Sequence, residues 1–123
     1  MARILVVDDD TLVRKMIVRV LTTAGFDAEG ASGGDEALQL SRERSFDLVI
    51  LDVVMPEKGG IETVMELRQH NPRQRTIIMS GKVPVDSTTF RMLAERFGAS
   101  DILEKPFKSK DILEAVDAAL HPA

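Results

Sequence analysis

The sequence has no cysteine, no tryptophan and no tyrosine. Without cysteine there is no disulfide, no thiolate metal site and no cysteine nucleophile, which fits a reducing cytoplasm. Aromatic residues make up only 4% of the chain, leaving few rings to stack on a flavin. No apolar run approaches the roughly 18 residues of a membrane span. The N-terminus, Met1-Ala2-Arg3-Ile4, enters a strand-like run at once, so no signal peptide is expected. Basic residues are outnumbered, with 16 Lys and Arg against 20 Asp and Glu and a net charge of −4. A broad nucleic-acid surface is normally basic, so direct nucleic-acid binding is not expected.

What is present suits a folded domain. Apolar residues account for 44% and charged residues of both signs for 29%. With 123 residues and no linker-like stretch, one domain over 1–123 is expected, without a separate effector domain. Strand candidates are Ile4–Val7, Asp27–Ala31, Leu48–Leu51, Thr76–Met79 and Ser100–Leu103. Three are nearly continuous aliphatic runs, as in parallel strands covered on both faces. The second, with Asp27, Glu29 and Gly30, suits a sheet edge. Between and after them run five helical patterns. The first carries Leu12, Val13, Met16, Ile17, Val20 and Leu21 and stops at Gly25. The others are marked by Ala37, Leu38 and Leu40, by Ile61, Val64 and Met65, by Phe90, Leu93, Ala94 and Phe97, and by Ile112, Leu113, Val116, Ala119 and Leu120. The order is (βα)5. Right-handed crossovers then close it as an α/β three-layer sandwich around one parallel sheet.

In open α/β sheets ligands bind beyond the carboxyl ends of the strands. There the sequence puts Asp8-Asp9-Asp10 after the first strand, Asp52 after the third, Ser80 after the fourth and Lys105 after the fifth. Gathered carboxylates repel one another unless a divalent cation joins them, and magnesium accepts one or two with water completing its octahedron. A hydroxyl donor and a fixed ammonium suit the oxygens of a phosphoryl group. A carboxylate can attack phosphorus and become an acyl phosphate. Each residue alone has a plainer reading. An aspartate can cap a helix or make a turn, Ser80 can be a turn hydroxyl, and Lys105 a surface lysine. It is the four strand ends together that carry the chemistry.

At these residues the chain resembles the response-regulator receiver family of two-component signalling, over its whole length. The matching segments are ILVVDDD at 4–10, DLVILDVVMPEKGG at 47–60, IIMSG at 77–81 and ILEKPF at 102–107. The resemblance implies a flavodoxin-like fold with strand order 2-1-3-4-5 and a chemotaxis-regulator-like cytoplasmic signalling protein. It implies Asp52 as phosphoacceptor and Mg2+ bound by Asp9, Asp52 and the backbone carbonyl of Val54, with Asp8 acting mainly through water. Ser80 and Lys105 would hold the phosphoryl oxygens. A sensor histidine kinase or phosphotransfer protein would be the donor. The chain would catalyse only its own phosphotransfer and dephosphorylation, and signal through the face of the fourth helix, fifth strand and fifth helix.

Three features depart from the family pattern. Ile102 stands where an aromatic residue is usual, and the interval from Ser80 to Lys105 is a few residues longer than usual. Val54 and Lys82 occupy positions that bear on phosphoryl lifetime. Two other readings stay open: a magnesium-dependent phosphatase with an aspartyl-phosphate intermediate, in which Asp10 would matter, and a pseudo-receiver that only binds.

Overall fold

The computed structural model describes residues 2–52, 60–80, 99–104 and 107–121. Within them the chain runs β1 (Arg3–Val7), α1 (Thr11–Thr23), β2 (Asp27–Ala31), α2 (Gly34–Glu43), β3 (Leu48–Asp52), α3 (Gly60–His70), β4 (Thr76–Ser80), β5 (Ala99–Glu104) and α4 (Ser109–Leu120). The helical pattern of residues 90–97 lies outside the described residues. So does the 81–90 segment, which lies within the longer Ser80–Lys105 interval. All five strands are parallel, in the order β2-β1-β3-β4-β5.

The sheet is buried on both sides, and strand alternation sorts its residues into two cores. Ile4, Val6, Leu48, Ile50, Ile77 and Met79 meet Ile17 and Leu21 of α1 and Ile112 and Val116 of α4. Leu5, Val7, Val49, Leu51 and Ile78 meet Ala37 and Leu38 of α2 and Val64 and Leu67 of α3. Register confirms the sorting, since Ile4 pairs with Leu48, Leu5 with Val49, Val6 with Ile50 and Val7 with Leu51. The chain moves outward from β1 to β2, then back across β1 to β3. Right-handed connections in opposite directions must lie on opposite faces, which is where α1 and α2 are found.

Local signals set the helix ends. Asp10 caps α1, its Oδ1 accepting from the amides of Leu12 at 3.0 Å and Val13 at 3.3 Å. At the other end Gly25 takes φ +99°. The Phe26 amide then reaches the Leu21 carbonyl and the Gly25 amide the Thr22 carbonyl, a Schellman closure. Arg75, just before β4, donates from Nη1 to the carbonyls of Ala119 at 3.0 Å and Leu120 at 3.1 Å. This ties the last turn of α4 to the amino end of the sheet with a cation where the helix dipole favours one.

The α1 pattern reads differently in three dimensions. Leu12 is 82% exposed and Met16 41%, whereas Ile17 and Leu21 are fully buried. The helix has two adjacent apolar stripes. Val13, Ile17 and Leu21 face the sheet. Leu12, Met16 and Val20 turn one step outward, along a groove that Leu113 of α4 also lines. Met65 of α3 is likewise 43% exposed, and Leu67 takes the core position. The pairing of β4 with β5 shifts at Thr76/Ile77, so that Thr76 faces Ala99 but Ile77 faces Asp101. Beyond the shift Ile102 lies in register with Ile78.

The two stripes of α1 should separate in stability measurements. Leu21→Ala removes a fully enclosed side chain and is expected to destabilise by about 2–5 kcal/mol. Leu12→Ala, one stripe away, should stay within about 0.5 kcal/mol of the parent. Urea denaturation midpoints of the two variants check this.

Candidate functional site

The candidate site lies at the carboxyl edge, where β1 and β3 are neighbours although their onward connections run in opposite directions. Such a reversal opens a crevice between the strand ends. Val7, the last residue of β1, pairs with Leu51, and Asp52 is the last residue of β3. Asp8 and Asp52 therefore leave adjacent strands at one level. Carboxylate oxygens of Asp8, Asp9 and Asp52 all lie within 4.8 Å of one another. Asp8 is fully enclosed and Asp52 is 6% exposed, while Asp9 is exposed to solvent. The cluster thus has a closed base and one wet side.

The turn from β1 into α1 is closely tied. The Asp8 amide continues the ladder to the Ala31 carbonyl of β2 at 3.2 Å. Asp8 Oδ1 accepts from the Asp10 amide at 2.9 Å. Arg14 Nη1 donates to the Asp8 carbonyl at 2.8 Å. The first helical bond of α1 runs from the Arg14 amide to the Asp10 carbonyl at 2.9 Å. These bonds hold the chain so that Asp8 faces the sheet edge while Asp10 faces the helix.

Of the site residues expected from the sequence, Asp8, Asp9 and Asp52 are brought together. Ser80 ends β4 in register with Glu104 of β5, one residue beyond the Met79 that pairs with Asp52. Its backbone therefore stands at the same edge, one strand along. Lys105, Val54 and Lys82 lie outside the described residues. Asp10 belongs to the helix cap. Arg14 was not anticipated from the sequence. Its signal is tertiary, because it needs β2 beside β1 to be seen.

This arrangement can hold a divalent cation. Two oxygens on one octahedral ion with bonds of 2.0–2.1 Å stand roughly 2.9 Å apart when adjacent and about 4.1 Å when opposite. Three donors all within 4.8 Å of one another are close enough for side-chain rotation to bring them onto such an ion. The donors are all hard oxygens, and the exposed side leaves room for water.

Comparison with known proteins agrees with this geometry. The sequence profile for the response regulator receiver domain matches residues 4–117. The chemotaxis protein CheY of Bacillus subtilis is 35% identical over 120 residues, covering 97% of this chain and 98% of that protein. The transcriptional regulatory protein CpxR homolog of Haemophilus influenzae is 37% identical over 120 residues, covering 98% of this chain but 51% of that protein. The chain thus spans about half of some relatives and nearly all of others. The crystal structure of Vibrio cholerae CheY4 superposes with a TM-score of 0.90 at 30% identity, covering 98% of this chain and 99% of that one. With its acid cluster at the β1/β3 reversal and a likeness that runs the length of the sequence, the chain belongs to the CheY-like response regulator receiver domains of two-component signalling, a family phosphorylated on aspartate.

Proposed function

We propose that Asp52 is the phosphoacceptor of this receiver and that Mg2+ is the cation its acid cluster takes. The observation that carries the reading is the position of Asp52. Its carboxylate lies within 4.8 Å of both Asp8 and Asp9, and its strand is flanked by β1 on one side and by β4, which ends in Ser80, on the other. The strand that carries Asp52 thus runs between one that leads into the acid pair and one that ends in a serine.

The neighbouring acids suit other tasks. Asp8 is enclosed and has one oxygen on the Asp10 amide, which suits a fixed ligand or a water-mediated one. Asp9 is exposed and suits direct binding from the wet side, and the Val54 carbonyl completes the protein ligands. Bound there, Mg2+ supplies charge neutralisation for the phosphoryl oxygens and for the three carboxylates. In the reaction an Asp52 oxygen forms a bond to phosphorus as the phosphorus–nitrogen bond of a phosphohistidine breaks. The electron pair leaves with the imidazole nitrogen, which is protonated. Ser80 donates to one phosphoryl oxygen and Lys105 pairs with another. Hydrolysis later returns Asp52 and inorganic phosphate. The donor is a sensor histidine kinase or a phosphotransfer protein in the cytoplasm. The chain acts on itself and turns over no separate substrate. Receivers occur both as nearly whole proteins and as about half of longer ones among the relatives, so the output passes to a partner or to an attached effector.

Asp10 weighs against the phosphatase alternative. That chemistry would need its carboxylate as a proton carrier beside the nucleophile, but one of its oxygens takes two amides at the head of α1.

Incubated with magnesium and acetyl phosphate, the parent should gain one phosphoryl group that hydroxylamine removes. Asp52→Asn should gain none while keeping the parent's circular dichroism. Intact-mass spectrometry reads both, and equal labelling of the variant would overturn the assignment.

The aspartates next to the site should also differ in magnesium binding. Asp9→Asn is expected to weaken it on the order of tenfold or more, as loss of a ligand does. Asp10→Asn keeps the cap, since Asn caps as well as Asp, and should change affinity by roughly twofold at most, through a screened charge. Titration by calorimetry of the unphosphorylated protein measures the order, and a larger effect at Asp10 would favour the phosphatase reading.

A further inference from the structure

Arg14 is placed strangely for a residue in the first turns of a helix, where the dipole disfavours a cation. It is half-buried, and its guanidinium crosses to the backbone of the preceding strand end, with Nη1 2.8 Å from the Asp8 carbonyl. The path it follows runs over Gly30 of β2. A Cβ at that position would stand 3.1 Å from Arg14 Cδ and 3.2 Å from Cγ. Gly30 does not have the positive φ that demands glycine. Its missing side chain therefore matters for space and not for backbone conformation, and the occupant of that space is the Arg14 stem.

We infer that Arg14 is a positioning residue for the metal site. Lying in the space that Gly30 leaves open, it fixes the backbone of Asp8 so that the Asp8 carboxylate stays aimed at Asp9 and Asp52. The inference rests on the reading of the cluster as a magnesium site. Among the bonds that Asp8 makes with described residues are three that fix it from different sides: its amide to Ala31, its carbonyl from Arg14 and its Oδ1 from the Asp10 amide. The first ties Asp8 to the sheet and the third orients its side chain. Arg14 supplies the only one of the three made by another residue's side chain, and it locks the peptide that joins Asp8 to Asp9. With that bond gone, the peptide can rotate and carry both carboxylates with it.

Charge and positioning have opposite signs here, which makes the inference testable. If Arg14 acted only through its charge, its removal would make the cluster more negative and tighten magnesium binding. If it acts by holding Asp8, its removal weakens binding. Arg14→Ala is expected to weaken magnesium binding on the order of tenfold, the scale of losing a group that orients a ligand. Arg14→Lys, which keeps a donor on a flexible stem, should fall between that and the parent. Gly30→Ala touches no charge and no ligand, and a strand accepts alanine there. It should also weaken binding by pushing the Arg14 stem aside. In the Arg14→Ala background the same Gly30→Ala change should have no further effect, because the group it displaces is gone.

Calorimetric titration of the full unphosphorylated chain reads all four variants. Unchanged or tighter binding by Arg14→Ala overturns the inference, as does a full additional loss in the double variant. A second measurement needs no metal. In apo protein the Asp10 amide, bonded to Asp8 Oδ1, should exchange with solvent faster in Arg14→Ala than in the parent, and equal rates would overturn the inference. If the parent itself bound no magnesium, the proposed function would fall, and this exchange comparison would still decide whether Arg14 holds Asp8.

Discussion

The pairing of β1 with β3 is the constraint on which the site depends. Neighbouring strands lie about 4.8 Å apart, close enough for acids at their ends to share one ion. With one strand between them the separation would be roughly 9.6 Å, and Asp8 and Asp52 could not meet. What makes β1 and β3 neighbours is the outward excursion to β2 and back, and the two-sided burial of the sheet makes that excursion stable. Ile4, Val6 and Ile50 belong to one core and Leu5, Val7 and Leu51 to the other. A slip of one residue in register would move every side chain of a strand to the opposite face. With aliphatic residues on both faces the sign of the slip hardly matters to hydrophobicity. It matters to shape, and to the level at which the terminal acids emerge.

The acid cluster is a local conflict inside a well-packed fold. Two like unit charges 4 Å apart repel by about 4 kcal/mol at the effective dielectric of a partly exposed site. Fully burying one large aliphatic side chain contributes roughly 1.5–3 kcal/mol. A few residues among the fully buried set around Ile4, Leu5, Ile50 and Ile78 therefore offset the repulsion. The conflict has a use. A divalent cation bound there would neutralise the gathered charges, and a ligand that binds only the folded state stabilises it increasingly as its concentration rises above its Kd.

Much of this was legible in the sequence, and the limits are instructive. Leu48–Leu51 is aliphatic throughout and ends in an acid, so strand, burial and site position could be read together. The Gly25 stop was equally plain, because a positive φ there is what the residue type signals. The α1 face was less so. Leu12 and Met16 repeat at the same spacing as Val13 and Ile17, and periodicity cannot say which of two adjacent stripes meets the sheet. Leu67 was missed because Ile61, Val64 and Met65 already made an acceptable apolar pattern for α3. The extension of β3 to Asp52 and of β4 to Ser80 lies within the usual uncertainty of element ends. The Arg14–Gly30 contact could not be read at all. Neither residue type is unusual where it stands, and only the packing of α1 against β2 gives them a common space.

Asp8, Asp9 and Asp10 show how far residue type alone is from role. They are chemically identical and consecutive, yet each ends in a different environment, because the backbone is changing from strand to helix beneath them. Asp8 still follows strand alternation, and its amide extends the ladder to Ala31, so its side chain is carried into the sheet edge and buried. Asp10 already has the extended cap geometry, with φ −79° and ψ 108°, that turns its carboxylate back onto the free amides of α1. Asp9 lies between the two and belongs to neither pattern, which leaves it exposed at the mouth of the cluster. The run of three acids is thus two members of the acid cluster followed by a helix cap. The cap is part of the site in a mechanical sense, since the Asp10 amide that anchors Asp8 is held in place by the helix that Asp10 itself begins.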